Sequence, residues 1–148
     1  MKSLTPVPVL LATLAACGDS RVDAPPREAP APADGGAHEH AEEPLGKHRI
    51  GDLEVELAQG HGPVVAGREA HLVVKLPFSD RGSTVVRAWL GTQDRTLSYV
   101  GKGAYAAAHD DYDVHATAPD PLPADTRWWI EIEKPDGTRL VGSARPIL

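Results

Sequence analysis

The sequence predicts an all-β domain over residues 49–148, an antiparallel β-sandwich of about seven strands. Apolar and polar residues alternate in short runs through this region, the pattern of strands with one face in a core and the other in water. Glycine and proline, with 14 residues of each type in the chain, separate the runs at intervals of about ten residues, as turns do in β-sandwiches. The chain has one cysteine, so a disulfide framework is excluded and apolar packing must join the two sheets.

Six strands follow from the alternation, at 53–57, 70–76, 84–90, 112–116, 126–133 and 138–144. Pro77 ends the second of them, and Pro135-Asp136-Gly137 supplies the turn between the last two. The side chains predicted to face the core from the clearest strands are Leu53, Val55, Leu57, Ala70, Leu72, Val74, Leu76, Trp128, Ile130 and Ile132.

Two tryptophans decide how the strands at 84–90 and 126–133 are interpreted. Val86, Ala88 and Leu90 form the more apolar face of the first strand, but a shift of one residue would bury Trp89 instead. In the second strand, Trp129 shares the outward face with Arg127. An outward tryptophan is either an anchor for a protein partner or a side chain covered by a loop or by the linker.

Residues 1–16 are predicted to be a lipoprotein signal peptide. A lysine and a short apolar run precede Leu14-Ala15-Ala16-Cys17, which Gly18 follows. This resembles the lipobox of bacterial lipoproteins, in which the thiol is alkylated by diacylglycerol, the leader is cut before the cysteine, and the new amine is often acylated, for example with palmitate. The resemblance implies that Cys17 anchors the chain in a bilayer of the cell envelope. By resemblance to lipoprotein sorting in bacteria with two membranes, Gly18 rather than an aspartate after the cysteine implies the outer membrane and not retention in the inner membrane. The alternative is an ordinary secretory peptide that contains one cysteine.

Residues 17–48 are predicted to be the lipidated Cys17 followed by a disordered linker. Residues 23–46 hold five prolines, two adjacent glycines and almost no large apolar residue. Such a segment buries too little apolar surface to offset its conformational entropy. The folded domain is therefore expected to run from 49 to 148.

The domain resembles the immunoglobulin-like modules that bacteria export, such as the YtkA-like and FixH-like groups. The likeness covers residues 50–146 and depends on the strand order and on the segment from Gly103-Ala104-Tyr105 to Trp128-Trp129. It implies an immunoglobulin-like sandwich and includes no catalytic motif. Because no serine lies in a nucleophile elbow and no glycine-rich phosphate loop follows a strand, the chain is expected not to be an enzyme.

The first candidate metal site lies in the predicted linker. His38-Glu39-His40 places two imidazoles around a carboxylate, with His48 nearby. Nitrogen and oxygen donors of this kind suit Zn²⁺, Ni²⁺ or Cu²⁺. A flexible segment loses entropy when it wraps around a metal, so the alternative is a solvated polar linker.

The second candidate metal site is His109-Asp110-Asp111-Tyr112-Asp113-Val114-His115. In an extended strand His109, Asp111, Asp113 and His115 project to one side. His109 and His115 would then stand about 20 Å apart, so either a turn at Asp110-Asp111 or the use of one adjacent pair is required. The alternative is a polar loop that enters an edge strand. His61, in a hairpin loop, and His71, facing outward, would join a site only if the fold brought them together.

Composition limits the metals and the partners. Without the leader the chain has no methionine, and its one sulfur is expected to carry lipid, which excludes a methionine-rich Cu(I) carrier and leaves Zn²⁺ or Cu²⁺ as candidates. The net charge of -6 argues against nucleic acid as a partner. The sequence thus predicts an envelope-anchored binding module that takes a metal through histidines and carboxylates, or a metal-free module that binds an envelope protein through a sheet face.

Overall fold

The computed structural model describes residues 41–148. The predicted leader, Cys17, His38 and His40 lie outside the described residues.

The described residues form a β-sandwich of nine antiparallel strands, which confirms the predicted fold class. One sheet has the strand order β1-β2-β3-β7-β6, and the other has the order β5-β4-β8-β9. A short 3₁₀ turn, Arg95–Leu97, follows β4. The strands are β1 (Glu43–Ile50), β2 (Leu53–Gly60), β3 (Glu69–Lys75), β4 (Val85–Gly91), β5 (Gly101–Lys102), β6 (Ala104–Ala106), β7 (Asp111–Thr117), β8 (Arg127–Glu133) and β9 (Arg139–Ala144).

Strand β1 was not predicted, because its residues were assigned to the linker that was expected to end at 48. The register with β2 shifts between Pro44 and Gly46, and Gly46 has a φ of 89°, as expected at a β-bulge. The extra residue breaks the two-residue alternation, so that Leu45, His48 and Ile50 share the inner side. Pro44 is tolerated because β1 is an edge strand.

The core lies between the two sheets and contains the side chains that the alternation assigned to it. Trp128, Ile130 and Ile132 from β8 are fully buried, as are Val55 and Leu72 from the opposite sheet. This apolar layer holds the sandwich together without a disulfide.

A buried glutamine, Gln59, ties the end of β2 to this core. Its Oε1 accepts hydrogen bonds from Trp128 Nε1 at 2.9 Å and from the Ile147 amide at 3.2 Å. Its Nε2 donates to the carbonyl oxygens of Gly62 at 2.8 Å and Ile147 at 3.1 Å. Gln59 is 1% exposed, and its four bonds satisfy a polar group that would otherwise be costly inside the sandwich.

The register of β4 places Val86, Ala88 and Leu90 in the core, so Trp89 lies on the outer face of the four-stranded sheet. Trp89 is nevertheless buried, because it stacks on Trp129 with ring centroids 6.4 Å apart and donates a hydrogen bond to the Thr92 carbonyl in the following loop. Trp129 is half-buried and donates to the Gly91 carbonyl.

Asp80 anchors the loop between β3 and β4. Its carboxylate accepts hydrogen bonds from the Gly82 amide, from the Thr84 amide at 2.7 Å and from the Tyr112 hydroxyl at 2.6 Å. Burial by itself would raise the pKa of Asp80, but the hydrogen bonds from Thr84, Tyr112 and Gly82 outweigh it and lower the pKa.

Candidate functional site

Three histidines come together on the outer face of the five-stranded sheet. His71 in β3 pairs directly with His115 in β7, and their rings stack with centroids 4.7 Å apart and planes 12° apart. The ring of His61, in the loop after β2, lies 5.2 Å from that of His71 and 5.9 Å from that of His115. We call His61, His71 and His115 the imidazole cluster.

The strand order creates the imidazole cluster. β3 lies between β2 and β7, so one row across the sheet reads Gly60, His71, His115. Gly60 is required in this row because a Cβ there would overlap His71 Nδ1. The chain then turns at His61, which has a φ of 63°, and the ring of His61 lies against the other two.

Two carboxylates hold two of the rings. His71 Nε2 lies 3.0 Å from Asp113 Oδ1, and His115 Nδ1 lies 3.2 Å from Glu69 Oε1. His71 is 6% exposed, whereas the side chains of His115 and Glu69 are 45% and 62% exposed. The imidazole cluster therefore has a buried, fixed half around His71 and a solvent-facing half around His115.

A surface cleft lies beside the imidazole cluster, where His61 and Glu69 line it. The cleft has a volume of about 430 Å³ and is lined by His61, Pro63, Val65, Arg68 and Glu69. An ion or small anionic group in this cleft would meet imidazole, carboxylate and guanidinium groups.

The donor atoms are not arranged as a finished metal centre. Among residues 41–148, no group of three or more His, Cys, Asp or Glu side chains has its ligand atoms placed around one point. The stacked rings of His71 and His115 cannot share an ion as they stand, because the lone pairs of imidazole nitrogens lie in the ring planes and nearly parallel planes do not converge. A metal could be held only after side chains on the exposed half rotate.

The predicted cluster at 109–115 is divided by the structure. Asp111, Asp113 and His115 share the outer face of β7, as the alternation predicts, while Tyr112 and Val114 are buried. His109 lies in the turn between β6 and β7, at the end of β7 away from His115. The turn therefore precedes Asp111 and does not bring His109 to His115.

His48, the described member of the linker group, also lies apart from the imidazole cluster. It sits on the inner side of the edge strand β1, opposite Val55, and its Nε2 lies 3.1 Å from the Leu45 carbonyl oxygen.

One carboxylate oxygen of Asp111, the first residue of β7, is closed off from solvent. Its Oδ1 is buried and has no hydrogen-bond partner among the described residues. Burial, and next the negative charge of Asp113, raise the pKa of Asp111. Asp111 also lines a shallow groove of about 440 Å³ on this face, together with Val73 and Lys75.

The other predicted surface, Trp129 with Arg127, is only partly open. Both side chains are half-buried, and Arg127 Nη1 lies 3.5 Å from Ser143 Oγ. On the same sheet face, Glu131 forms ion pairs with Arg87 at 3.0 Å and with Arg95 at 3.1 Å. These ion pairs cover part of the face.

Sequence reasoning did not assign His61 and His71 to a site. The sequence feature that could have indicated the site is the position of His71, which alternation places on the outward face of an otherwise apolar strand. Its neighbours across the sheet depend on which strands pair, and the sequence does not show this.

No family model, curated protein or solved structure matches the chain. In the part of the chain that the structure describes, no helix has the length and apolar character needed to cross a membrane.

Proposed function

We propose that this chain is a non-enzymatic lipoprotein of the cell envelope, anchored at the outer membrane through Cys17, whose β-sandwich binds a divalent metal ion at the imidazole cluster. The observation that supports the metal site is the gathering of His61, His71 and His115 from three elements beside two carboxylates.

The donor chemistry favours Zn²⁺ or Cu²⁺. Imidazole nitrogen with carboxylate oxygen suits these ions better than Ca²⁺ or Mg²⁺, which prefer oxygen alone. Carboxylates next to the rings fix imidazole orientation and raise ligand basicity, as is common around protein-bound zinc.

The proposed anchor depends on the resemblance of Leu14–Cys17 to a lipobox. The first strand begins at Glu43, so residues 18–42 would allow the domain to stand at most about 85 Å from the lipidated cysteine. Such a length would be sufficient for the domain to stand beyond the headgroups.

Calorimetric titration with Zn²⁺ tests the metal site. The full chain is used with Cys17→Ser, which removes the thiol as a ligand, and with His38→Ala and His40→Ala, which remove the predicted linker site. We expect a dissociation constant below about 10 µM, near 7 kcal/mol of binding free energy. His61→Ala combined with His115→Ala should abolish binding, and His48→Ala combined with His109→Ala should leave it unchanged. Absence of binding in the parent, or equal binding by the two double variants, would refute the metal site.

Membrane partition and mass spectrometry test the anchor. The native chain should fractionate with detergent-extracted membranes and carry acyl mass on Cys17, and the Cys17→Ser variant should be released or remain uncut. An unmodified thiol, or an uncleaved Met1, would contradict the anchor without affecting the metal test.

A metal-free interaction module is the second candidate. It is favoured by Trp129, which remains half-exposed on the outer face of the four-stranded sheet beside Arg127 and near the exposed Val141. Cross-linking in envelopes tests it, because Trp129→Ala should then remove a specific cross-linked partner while zinc binding stays unchanged.

A further inference from the structure

Within the imidazole cluster, the three rings have different orientations and different access to solvent. The planes of His71 and His115 are 12° apart, and in-plane lone pairs of nearly parallel rings cannot meet at one ion. The planes of His61 and His115 are 56° apart and therefore intersect. At most one member of the stacked pair can bind the same ion as His61.

Of the stacked pair, His71 is the ring that cannot act as a metal ligand. Its Nε2 lies 3.0 Å from Asp113 Oδ1, and its Nδ1 is buried without a hydrogen-bond partner in the described residues, pressed against Gly60. Both nitrogens of His71 are thus closed to an incoming ion, and the ring is held from two sides.

His115 has the opposite environment. Its side chain is 45% exposed, and its Nδ1 lies 3.2 Å from Oε1 of the exposed Glu69. Two ligands on one tetrahedral Zn²⁺, each about 2.1 Å from the ion, stand about 3.4 Å apart. The pair therefore already has nearly the separation that shared coordination requires.

His61 completes the set from the other side. Its ring centroid lies 5.9 Å from that of His115, and two imidazoles on one tetrahedral ion have centroids about 5 Å apart. His61 and Glu69 line the same cleft, so rotation of exposed side chains would be needed to bring the donors to one ion.

We infer that His61, Glu69 and His115 are the metal ligands, and that His71, fixed by Asp113, is a positioning residue that holds the His115 ring by stacking. This inference rests on the proposed function. Two nitrogens and one oxygen leave a fourth position of the ion facing the cleft beside Arg68, where water or a small anionic ligand would bind.

Electron paramagnetic resonance of bound Cu²⁺ tests the assignment, because hyperfine coupling counts the imidazole nitrogens on the ion. The protein is the full chain carrying Cys17→Ser, His38→Ala and His40→Ala. We expect two nitrogens in this parent, and one in either His61→Ala or His115→Ala. His71→Gln should keep two nitrogens while zinc affinity falls about tenfold or more, the usual effect of removing an outer-shell group.

Further variants separate a ligand from a positioning residue and guard against misfolding. Glu69→Gln should keep two nitrogens and weaken Zn²⁺ at least tenfold, since an amide oxygen replaces a charged donor. Asp113→Asn tests the positioning role with His71 intact and should also keep two nitrogens with weaker Zn²⁺ binding. His109→Ala is the matched control for an exposed histidine and should change neither the spectrum nor the affinity.

The outcomes distinguish this inference from the proposed function. If the parent binds neither ion, the proposed function fails. If it binds but His71→Gln loses a nitrogen, or His61→Ala and His115→Ala both keep two, the ligand assignment is wrong while the metal function stands. Unchanged Zn²⁺ affinity in both His71→Gln and Asp113→Asn would refute the positioning role.

Discussion

Replacing Gln59 by leucine would remove a polar side chain that is 1% exposed and nearly the same size as its replacement. The substitution leaves the Trp128 indole N–H, bonded to Gln59 Oε1 at 2.9 Å in the native chain, inside the core without an acceptor. It also removes both contacts to Ile147 and the contact to the Gly62 carbonyl.

The expected loss of stability follows from these contacts. A typical hydrogen bond contributes about 1 kcal/mol, and a buried donor left without a partner costs about 1–3 kcal/mol. The greater apolarity of leucine offsets part of this loss. We therefore expect the free energy of unfolding to fall by about 3 kcal/mol, most of it from Trp128 Nε1 and the two contacts to Ile147.

Urea unfolding followed by tryptophan fluorescence measures the change. With a slope of about 1.5 kcal/mol per molar urea, the midpoint should fall by about 2 M. In a Trp128→Phe background the indole donor is absent, so Gln59→Leu should cost about 1–2 kcal/mol less. Because Gln59 also bonds to Gly62, next to His61, Zn²⁺ affinity should fall as well.

A midpoint that moves by less than about 0.3 M, or a Gln59→Leu cost that is the same in both backgrounds, would show that Gln59 does not support the core in the way its contacts indicate.

Two further predictions concern the packing around the candidate metal site and the dependence of folding stability on pH. Gly60→Ala should lower the free energy of unfolding by about 1–3 kcal/mol in thermal or urea melts, as overpacking does, and should weaken Zn²⁺ because the new methyl group displaces His71; an unchanged melt and affinity would refute the close packing. Asp80 and Asp111 should affect the pH profile of stability in opposite ways. The pKa of Asp80 is lowered on folding because its hydrogen bonds outweigh burial, so its stabilisation is present above the unfolded pKa and disappears as pH falls through the folded pKa. Asp80→Asn should therefore lower the melting temperature at pH 7, and the difference should shrink as the pH falls through the folded pKa. The pKa of Asp111 is raised by burial and by a neighbouring carboxylate, so the folded state loses stability as pH rises from the unfolded to the folded pKa. Asp111→Asn should therefore raise the melting temperature at pH 7 and not below pH 3. Equal effects at both pH values would contradict the raised pKa of Asp111.

The sandwich and most of its strands could be predicted because the two-residue alternation depends only on residues that are close in sequence. Leu72 and Trp128 each belong to a run in which every second residue is apolar, and this pattern does not depend on where the strand lies in the sheet. Turns such as Pro135-Asp136-Gly137 mark where strands end. β1 lies largely where the prolines, the glycines and the near absence of large apolar residues predict a linker, and the bulge at Gly46 interrupts the alternation that would otherwise indicate a strand.

By itself, the sequence determined the residue types that face inward, the turn positions and the parity that puts Asp113 and His115 on one face of β7. Tertiary structure decided which strands are neighbours. The pairing of β3 with β7 brings His71 to His115 across 44 residues of chain, and the loop after β2 adds His61. Alternation fixes the face on which a side chain lies, whereas the neighbour on that face depends on long-range strand pairing and on close fits such as Gly60 against His71.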